Sequence, residues 1–265
     1  MKFFFSALFL ASGATAFAPA NQAKVITFLN ADAAEEKSVA PAAASSSALD
    51  DLKSFSSGLN PIVNYFDPLN LVDVDIYDMG QDASIGFLRH AEIKHGRVAM
   101  AAFVGYCVQS NWHWPWNMSL DGSPFPSTDL NPEQQWDAIP PNAKWQILTV
   151  IAGLEIWGEA AGKVLQQDRA HYMKGGKPGD YPSFQLFRDQ VHFVFDLYDP
   201  FGFNKSMSQE QKERRLAVEV NNGRLAMLGI FGFISADKIE GSVPLLKDIA
   251  IAYAGEPMSP FEAGF

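Results

Sequence analysis

The sequence predicts an all-α membrane protein of three transmembrane helices, the first and third crossed as a pseudo-two-fold pair. Three observations carry that expectation. The stretch Glu92-Ile-Lys-His95-Gly-Arg97-Val-Ala-Met100 recurs as Glu219-Val-Asn-Asn222-Gly-Arg224-Leu-Ala-Met227, and each copy runs into an apolar helix. Three segments, Ser84 to Gln109, Ala143 to Val164 and Gln211 to Lys238, have the pattern of buried helices. The connections between them alternate in charge, as the loops of a multi-pass chain do.

The N-terminus reads as targeting sequence. Met1-Lys2, the apolar run Phe3 to Leu10 and the small-residue site Ala14-Thr15-Ala16 form a signal peptide over residues 1–16. Residues 17–30 open on Phe17 and carry Lys24 without an acidic side chain, the composition of a plastid transit peptide. The two together resemble the bipartite presequence of algae with secondary plastids. The segment 31–56, Ala- and Ser-rich in its first half, is expected to be flexible. The remaining residues, 57–265, form the expected membrane domain.

None of the three helical segments holds the ~20 consecutive apolar residues of a plain spanning helix. The longest clean runs are Val98 to Val108 and Leu225 to Ala236, so hydropathy alone leaves a soluble helical bundle open. Loop charge favours the membrane. Gln109 to Ala143 has no Lys or Arg but carries Asp121, Asp129, Glu133 and Asp137, whereas the next connection carries Lys174, Lys177, Arg188, Lys205, Lys212, Arg214 and Arg215. Three spans with the N-terminus on the positive side give that alternation. Trp112, Trp114 and Trp116 after the first segment, and Trp145 and Trp157 towards the ends of the second, suit interfacial belts. Pro244 to Tyr253 has the pattern of a short amphipathic C-terminal helix, lying on a surface or simply capping the bundle.

Each motif copy puts a Glu and a His or Asn three residues apart on one helix face. These oxygen and nitrogen donors suit magnesium. Arg97 and Arg224 stand five residues after their own Glu, roughly 140° round an ideal helix, and are expected to pair across the crossing, Arg97 with Glu219 and Arg224 with Glu92. Small residues at matching places, Gly96, Ala99 and Gly105 against Gly223, Ala226 and Gly232, favour a close approach. A second repeat, Tyr65-Phe66-Asp67-Pro68 and Leu197-Tyr198-Asp199-Pro200, places an Asp-Pro turn before each long helix.

Two copies of E-x-x-[HN]-G-R-[VL]-A-M, each preceded by such a turn and separated by a third helix, resemble the light-harvesting chlorophyll-binding family. With the presequence, the nearest branch is the fucoxanthin or peridinin chlorophyll a/c type. The resemblance implies an antenna that binds chlorophyll a, chlorophyll c, a fucoxanthin- or peridinin-like carotenoid and a xanthophyll-cycle pigment. It implies a thylakoid location with the N-terminus stromal and the C-terminus lumenal. Its partners would be a photosystem I or II core, neighbouring antenna proteins and thylakoid lipids. By residue, Glu92, His95, Glu219 and Asn222 match ligands of chlorophyll magnesium, Arg97 and Arg224 match cross-paired arginines, and Asp67 and Asp199 match turns that anchor carotenoid head groups. One departure stands out: Ala236 occupies the place, fourteen residues after Asn222, where many members carry Gln. A chlorophyll site there is lost, or is held by Ser235, Asp237 or a water.

In the middle segment Gln146, Glu155 and Glu159 are candidate ligands; either Glu could instead lie on the surface or pair with Lys163. His192, in an apolar stretch, could hold a peripheral chlorophyll, while His90 reads as a helix-surface residue and His113 and His171 as solvated loop residues. The single cysteine, Cys107, excludes an internal disulfide framework, and the net charge of −10 argues against a nucleic-acid partner. Three rival functions share these residues: an energy-dissipating relative, a pigment carrier or photosystem-assembly scaffold, and a ferritin-like di-metal enzyme built on Glu92-x-x-His95. Neither a nucleophile triad nor a phosphate loop is present, so no catalysis is expected.

Overall fold

The computed structural model describes residues 47–75, 77–164, 170–182, 206–247, 249–257 and 259–261. Among these there is no strand: the chain forms α1 (Ala48–Leu59), α2 (Gln81–Gln109), α3 (Pro132–Ala138), α4 (Pro141–Val164) and α5 (Gln209–Lys238), with 3-10 turns at Leu71–Asp73, Tyr172–Lys174 and Pro244–Leu246. The three long helices lie within three residues of their expected bounds.

The expectation of a flexible segment over 31–56 fails for its last nine residues, which belong to α1. Ser47 caps this helix by accepting from the Asp50 N–H, and Asp50 and Asp51 sit in its positive first turn. It stops at Asn60, extended as a residue before proline must be. No α1 residue is buried. The helix is held from outside, by Ala48 N–H to Asp82 at 3.2 Å, Asn221 Nδ2 to the Leu59 carbonyl at 3.1 Å, and Arg89 over the Phe55 ring.

Between α1 and α2 the chain turns on asparagines and aspartates. Asn64, Asn70 and Asp78 adopt positive φ, which such side chains tolerate. Asp67 accepts from the Leu71 and Val72 N–H groups at 3.0 Å and from the Tyr65 hydroxyl. These donors hold its carboxyl below the usual range, Val72 first. Asp75 does the same for the start of α2, accepting from Gly80, Met79 and Ser84, and Gly80 most lowers its pKa.

Helices α2 and α5 pack on one another at Gly96 and Gly223. A Cβ built on Gly96 would sit 3.0 Å from Gly223 Cα, and one on Gly223 only 2.8 Å from Gly96 Cα. The backbones themselves are therefore in contact, as the small-residue pattern implied. The outer pair behaves differently: Gly105 and Gly232 face open space. α5 begins with a capping box between Ser208 and Gln211.

Helix α3 was not expected, although Asn131-Pro132-Glu133-Gln134 spells a capping box with proline at the first helical position, and the structure forms it. Its buried Gln135 donates to the Gln109 carbonyl at 3.0 Å, satisfying an orphan group at the end of α2, and meets His113 Nε2 at 3.0 Å. His113 is thus an internal contact and not a solvated one. Burial pushes the Glu133 carboxyl up to about 6.

The expected amphipathic helix over Pro244 to Tyr253 does not form. Only the 3-10 turn Pro244–Leu246 is helical, because the chain beyond it is drawn back as an extended strap. Tyr253 donates its N–H to the Asp237 carbonyl and its hydroxyl to Asp137, and Lys238 Nζ reaches the Ala254 and Gly255 carbonyls. Trp136 and Asn131 of the α3 region donate to the Pro260 and Ile251 carbonyls. Those backbone groups would be consumed internally by a helix.

None of the described helices is both long and apolar enough to cross a membrane. α2, α4 and α5 have 29, 24 and 30 residues, so length is sufficient; ionised residues within them break the apolar runs. Even so, large apolar side chains on their outer faces are uncovered, among them Val98 at 68%, Ile156 at 67% and Leu228 at 70% exposure.

Candidate functional site

The crossing brings the two motif copies together as reciprocal ion pairs. Arg97 Nε lies 2.5 Å from Glu219 Oε1, and Arg224 Nε lies 2.7 Å from Glu92 Oε1. Each guanidinium therefore engages one oxygen of a half-buried carboxylate on the opposite helix, and each carboxylate keeps a second oxygen. A carboxylate can share its oxygens between a guanidinium and a metal. One helix turn on, His95 is exposed, with Nδ1 2.8 Å from the Ala91 carbonyl. A carbonyl only accepts, so Nδ1 carries the proton and the Nε2 lone pair points outward, the arrangement a metal-binding histidine needs. Asn222, its counterpart, is exposed and has no hydrogen-bond partner among the described residues.

These four side chains fit chlorophyll as a ligand: hard oxygen or imidazole donors, one to a site, with His95 and Asn222 exposed and the two carboxylates half-buried. The same geometry gives the di-metal reading no support. Glu92 and Glu219 face arginines and not each other, and no cluster of three His, Cys, Asp or Glu among the described residues could hold a metal ion.

The flanks of the crossing differ. On one side Arg97 Nη1 also donates to the Gly179 carbonyl at 2.6 Å, and the Gly179 N–H donates to His90 Nδ1 at 3.0 Å. Gly179 has φ +77° and leaves no room for a Cβ against Ile93, so only glycine makes this contact without strain. On the other side a cleft of about 540 Å³ opens onto Glu92 and Arg224, walled by Leu52 and Leu59 of α1, by the Asp67 turn and by Leu88 and Arg89 of α2. Asp67 shapes this wall; its own oxygens are taken by the turn.

In the middle helix the candidates separate. Glu159 is a hub: Oε1 accepts from Lys94 at 3.2 Å, and Oε2 accepts from His171 Nε2 at 3.1 Å and the Tyr172 hydroxyl at 3.0 Å. Both oxygens of Glu159 are thus engaged within the chain. His171 accepts the Met173 N–H on Nδ1, so Nε2 is its donor to Glu159, and the residue is bound where solvation was expected. Glu155 gives only Oε2 to Lys94, at 2.6 Å, and is mostly exposed. It repeats the pattern of Glu92 and Glu219, one oxygen on a cation and one outward. Gln146 is exposed, without a partner among the described residues. His192 and Asp199 lie outside the described residues.

Sequence reasoning missed His90. It is only 7% exposed and stacks on Tyr172 with ring centroids 3.9 Å apart. The signal was there, since Ala83, Gly86, His90 and Ile93 recur at helical spacing and all four are buried. At the departure from the family pattern, Ala236 is buried and Asp237 accepts from the Tyr106 hydroxyl, while the Ser235 carbonyl accepts from Ser242. Asp237 is thus an internal partner, not an outward donor.

Comparison with known proteins finds pigment-binding relatives. The chain is 30% identical over 259 residues to the fucoxanthin-chlorophyll a-c binding protein of Trieres chinensis, covering 94% of this chain and all of that one. It is 32% identical over 241 residues to fucoxanthin-chlorophyll a-c binding protein F of Phaeodactylum tricornutum, covering 90% and 96%. Protein E of Macrocystis pyrifera is 29% identical over 219 residues, covering 80% and 87%. The family description "Chlorophyll A-B binding protein" matches residues 53–238, which hold both ion pairs, the Asp67 turn and the middle helix. The chain belongs to the chlorophyll a-b binding protein family.

Proposed function

We propose that the protein is a light-harvesting antenna that binds chlorophyll a, chlorophyll c and fucoxanthin and passes excitation to a photosystem. The observation that carries this is the crossing itself. Two carboxylates are each fixed by a guanidinium on one oxygen and left with the other, and His95 and Asn222 face outward beside them. The names of the relatives supply the pigment classes. Bound chlorophyll supplies the light absorption and the excitation transfer. The chain's own residues do the rest: Glu92, His95, Glu219, Asn222 and Glu155 fix magnesium positions, and Arg97, Arg224 and Lys94 orient the carboxylates. The family is one of pigment proteins, so the protein is not an enzyme.

In this reading α2, α4 and α5 cross the thylakoid membrane of a plastid, the N-terminus stromal and the C-terminus lumenal. An α2 of 29 residues is ~44 Å long, against a hydrocarbon core of ~30 Å. The ion pairs reduce the cost of the charges that break its hydropathy. The uncovered apolar faces meet lipid and pigment, the Trp112, Trp114 and Trp116 stack marks the lumenal interface, and the cleft beside the Asp67 turn receives a pigment end group. Residues 1–30 address the chain to the plastid. A photosystem core, neighbouring antennae and thylakoid lipids are its partners.

Absorption and fluorescence-excitation spectra of the detergent-purified native protein, followed by pigment extraction, test the proposal. Several chlorophylls per chain, with carotenoid bands exciting chlorophyll a emission, are expected. Bound pigment with strongly quenched emission would make it a dissipating relative, and a colourless chain would overturn the proposal.

A further inference from the structure

The two motif copies differ along one helix face. Gly86, His90, Lys94 and Arg97 stand on one stripe of α2 at helical spacing, and the matching places on α5 are Glu213, Ala217, Asn221 and Arg224. Only the α2 copy presents an imidazole and an ammonium beside its arginine, and residues 170–182 lie against that stripe. Gly86 leaves no room for a Cβ beside the Tyr172 carbonyl, so the two backbones touch there.

Two routes run from this segment to carboxylates on different helices. At one end the Gly179 carbonyl accepts from Arg97 Nη1 at 2.6 Å, and Arg97 Nε holds Glu219 Oε1 on α5. A guanidinium with two acceptors in place has its plane fixed, and the carboxylate on it is fixed with it. At the other end His171 Nε2 and the Tyr172 hydroxyl donate to Glu159 Oε2 at 3.1 and 3.0 Å. Glu159 shares Lys94 with Glu155, the Nζ lying 3.2 Å from the first and 2.6 Å from the second. The donors from the segment satisfy Glu159 and leave Lys94 closer to Glu155. Without them Lys94 is drawn towards Glu159, and the positive charge beside Glu155 recedes.

His90 joins the two routes. Its Nδ1 accepts from the Gly179 N–H at 3.0 Å, and its ring lies on Tyr172 with 3.9 Å between centroids and 10° between planes. With Nδ1 an acceptor, Nε2 carries the proton. That Nε2 is buried without a hydrogen-bond partner among the described residues, and Glu159 Oε1 is 3.9 Å away. One side chain thus sets Gly179 on one flank and Tyr172 with Glu159 on the other.

We propose that His90 is a positioning residue that couples two pigment sites, Glu219 on α5 and Glu155 on α4, by way of residues 170–182. The absorption band of each bound chlorophyll then depends on the same side chain, because its transition energy follows the charge and geometry at its magnesium ligand. The proposal rests on the reading of Glu219 and Glu155 as magnesium ligands.

The test is refolding of the full chain with chlorophyll a, chlorophyll c and fucoxanthin, read by low-temperature absorption and by pigment count. Glu155→Leu, and Glu219→Leu combined with Arg97→Leu, should each lose a chlorophyll and so mark the band of each site by difference. His90→Phe keeps the stack on Tyr172 and removes the acceptor for Gly179; it should shift both bands. His90→Gln, which restores an acceptor, should return the Glu219 band towards its wild-type position. A band that moves alone, or two that stay in place in folded His90→Phe, would overturn the coupling, since a merely structural histidine lowers stability and leaves both bands where they are. Should His90→Phe not refold, Tyr172→Phe deletes one hydroxyl and reads the coupling from the far end. A shift of the Glu155 band with a smaller shift of the Glu219 band is then expected, and anything less sinks the proposal. If either ligand variant keeps its full chlorophyll count, the ligand reading itself fails, an outcome distinct from two sites that are present and independent.

Discussion

The two ion pairs of the crossing are chemically the same and structurally unequal. Arg97 is held by Glu219 and again by the Gly179 carbonyl, while among the described residues Arg224 is held by Glu92 alone and borders an open cleft. A repeat fixes the inner contacts, but the third element laid over each copy decides what each contact does. Residues 170–182 seal one side, and α1 with the Asp67 turn leaves the other accessible. The sealed pair is braced by a third element, and the open pair is left accessible from the cleft.

The largest effect should come from breaking the sealed side. Arg97→Leu strands Glu219 and the Gly179 carbonyl and should cost ~2–4 kcal/mol, whereas Arg224→Leu, more exposed, should cost only ~1 kcal/mol. Thermal unfolding of the pigment-loaded proteins, followed by circular dichroism, measures both, and equal losses would erase the distinction. Next is the shared contact. Gly96→Ala or Gly223→Ala must push the touching backbones apart and should cost ~1–3 kcal/mol, while Gly105→Ala and Gly232→Ala, facing open space, should be neutral or slightly stabilising. Gly179→Ala acts on the sealed side alone, and its positive φ and the contact with Ile93 make ~1–2 kcal/mol the expected loss. If Arg224 pairing, read by the Arg224→Leu effect, changes as much as Arg97 pairing in that background, the seal is not local. Smallest in stability are the outward donors. Asn222→Leu and His95→Leu should move unfolding by less than ~0.5 kcal/mol of protein-only contact, yet each should lose a chlorophyll by pigment analysis; full retention would remove that residue from the ligand set.

How much of this the sequence disclosed follows from what kind of signal each feature leaves. The crossing was legible because a duplicated motif carries its own constraint: arginines that cannot reach their own glutamates must reach the other copy's. The long helices were legible from their apolar runs, Val98 to Val108 and Leu225 to Ala236 in the crossed pair. The short α1 was not, since it follows an Ala- and Ser-rich stretch that reads as a flexible tail and its stability comes from Asp82, Arg89 and Asn221 elsewhere in the chain. The C-terminal strap was read as a helix because apolar spacing cannot report that Asp237, Asp137 and Lys238 compete for its backbone and its tyrosine. Glu155 and Glu159, alike in sequence, were told apart only by which of them lies within reach of His171 and Tyr172.

The middle helix is fastened near its ends. Lys94 and the 170–182 segment grip it through Glu155 and Glu159, and Trp145 rests on Phe261 at the other end, while Val150 and Ile151 between them stay uncovered. It is therefore strung like a bow, anchored in length and free in span. Lys94 ties one end of this helix directly to the crossed pair, so a change at Glu155 or Glu159 should loosen that end while a change at Val150 or Ile151 should leave both anchors in place.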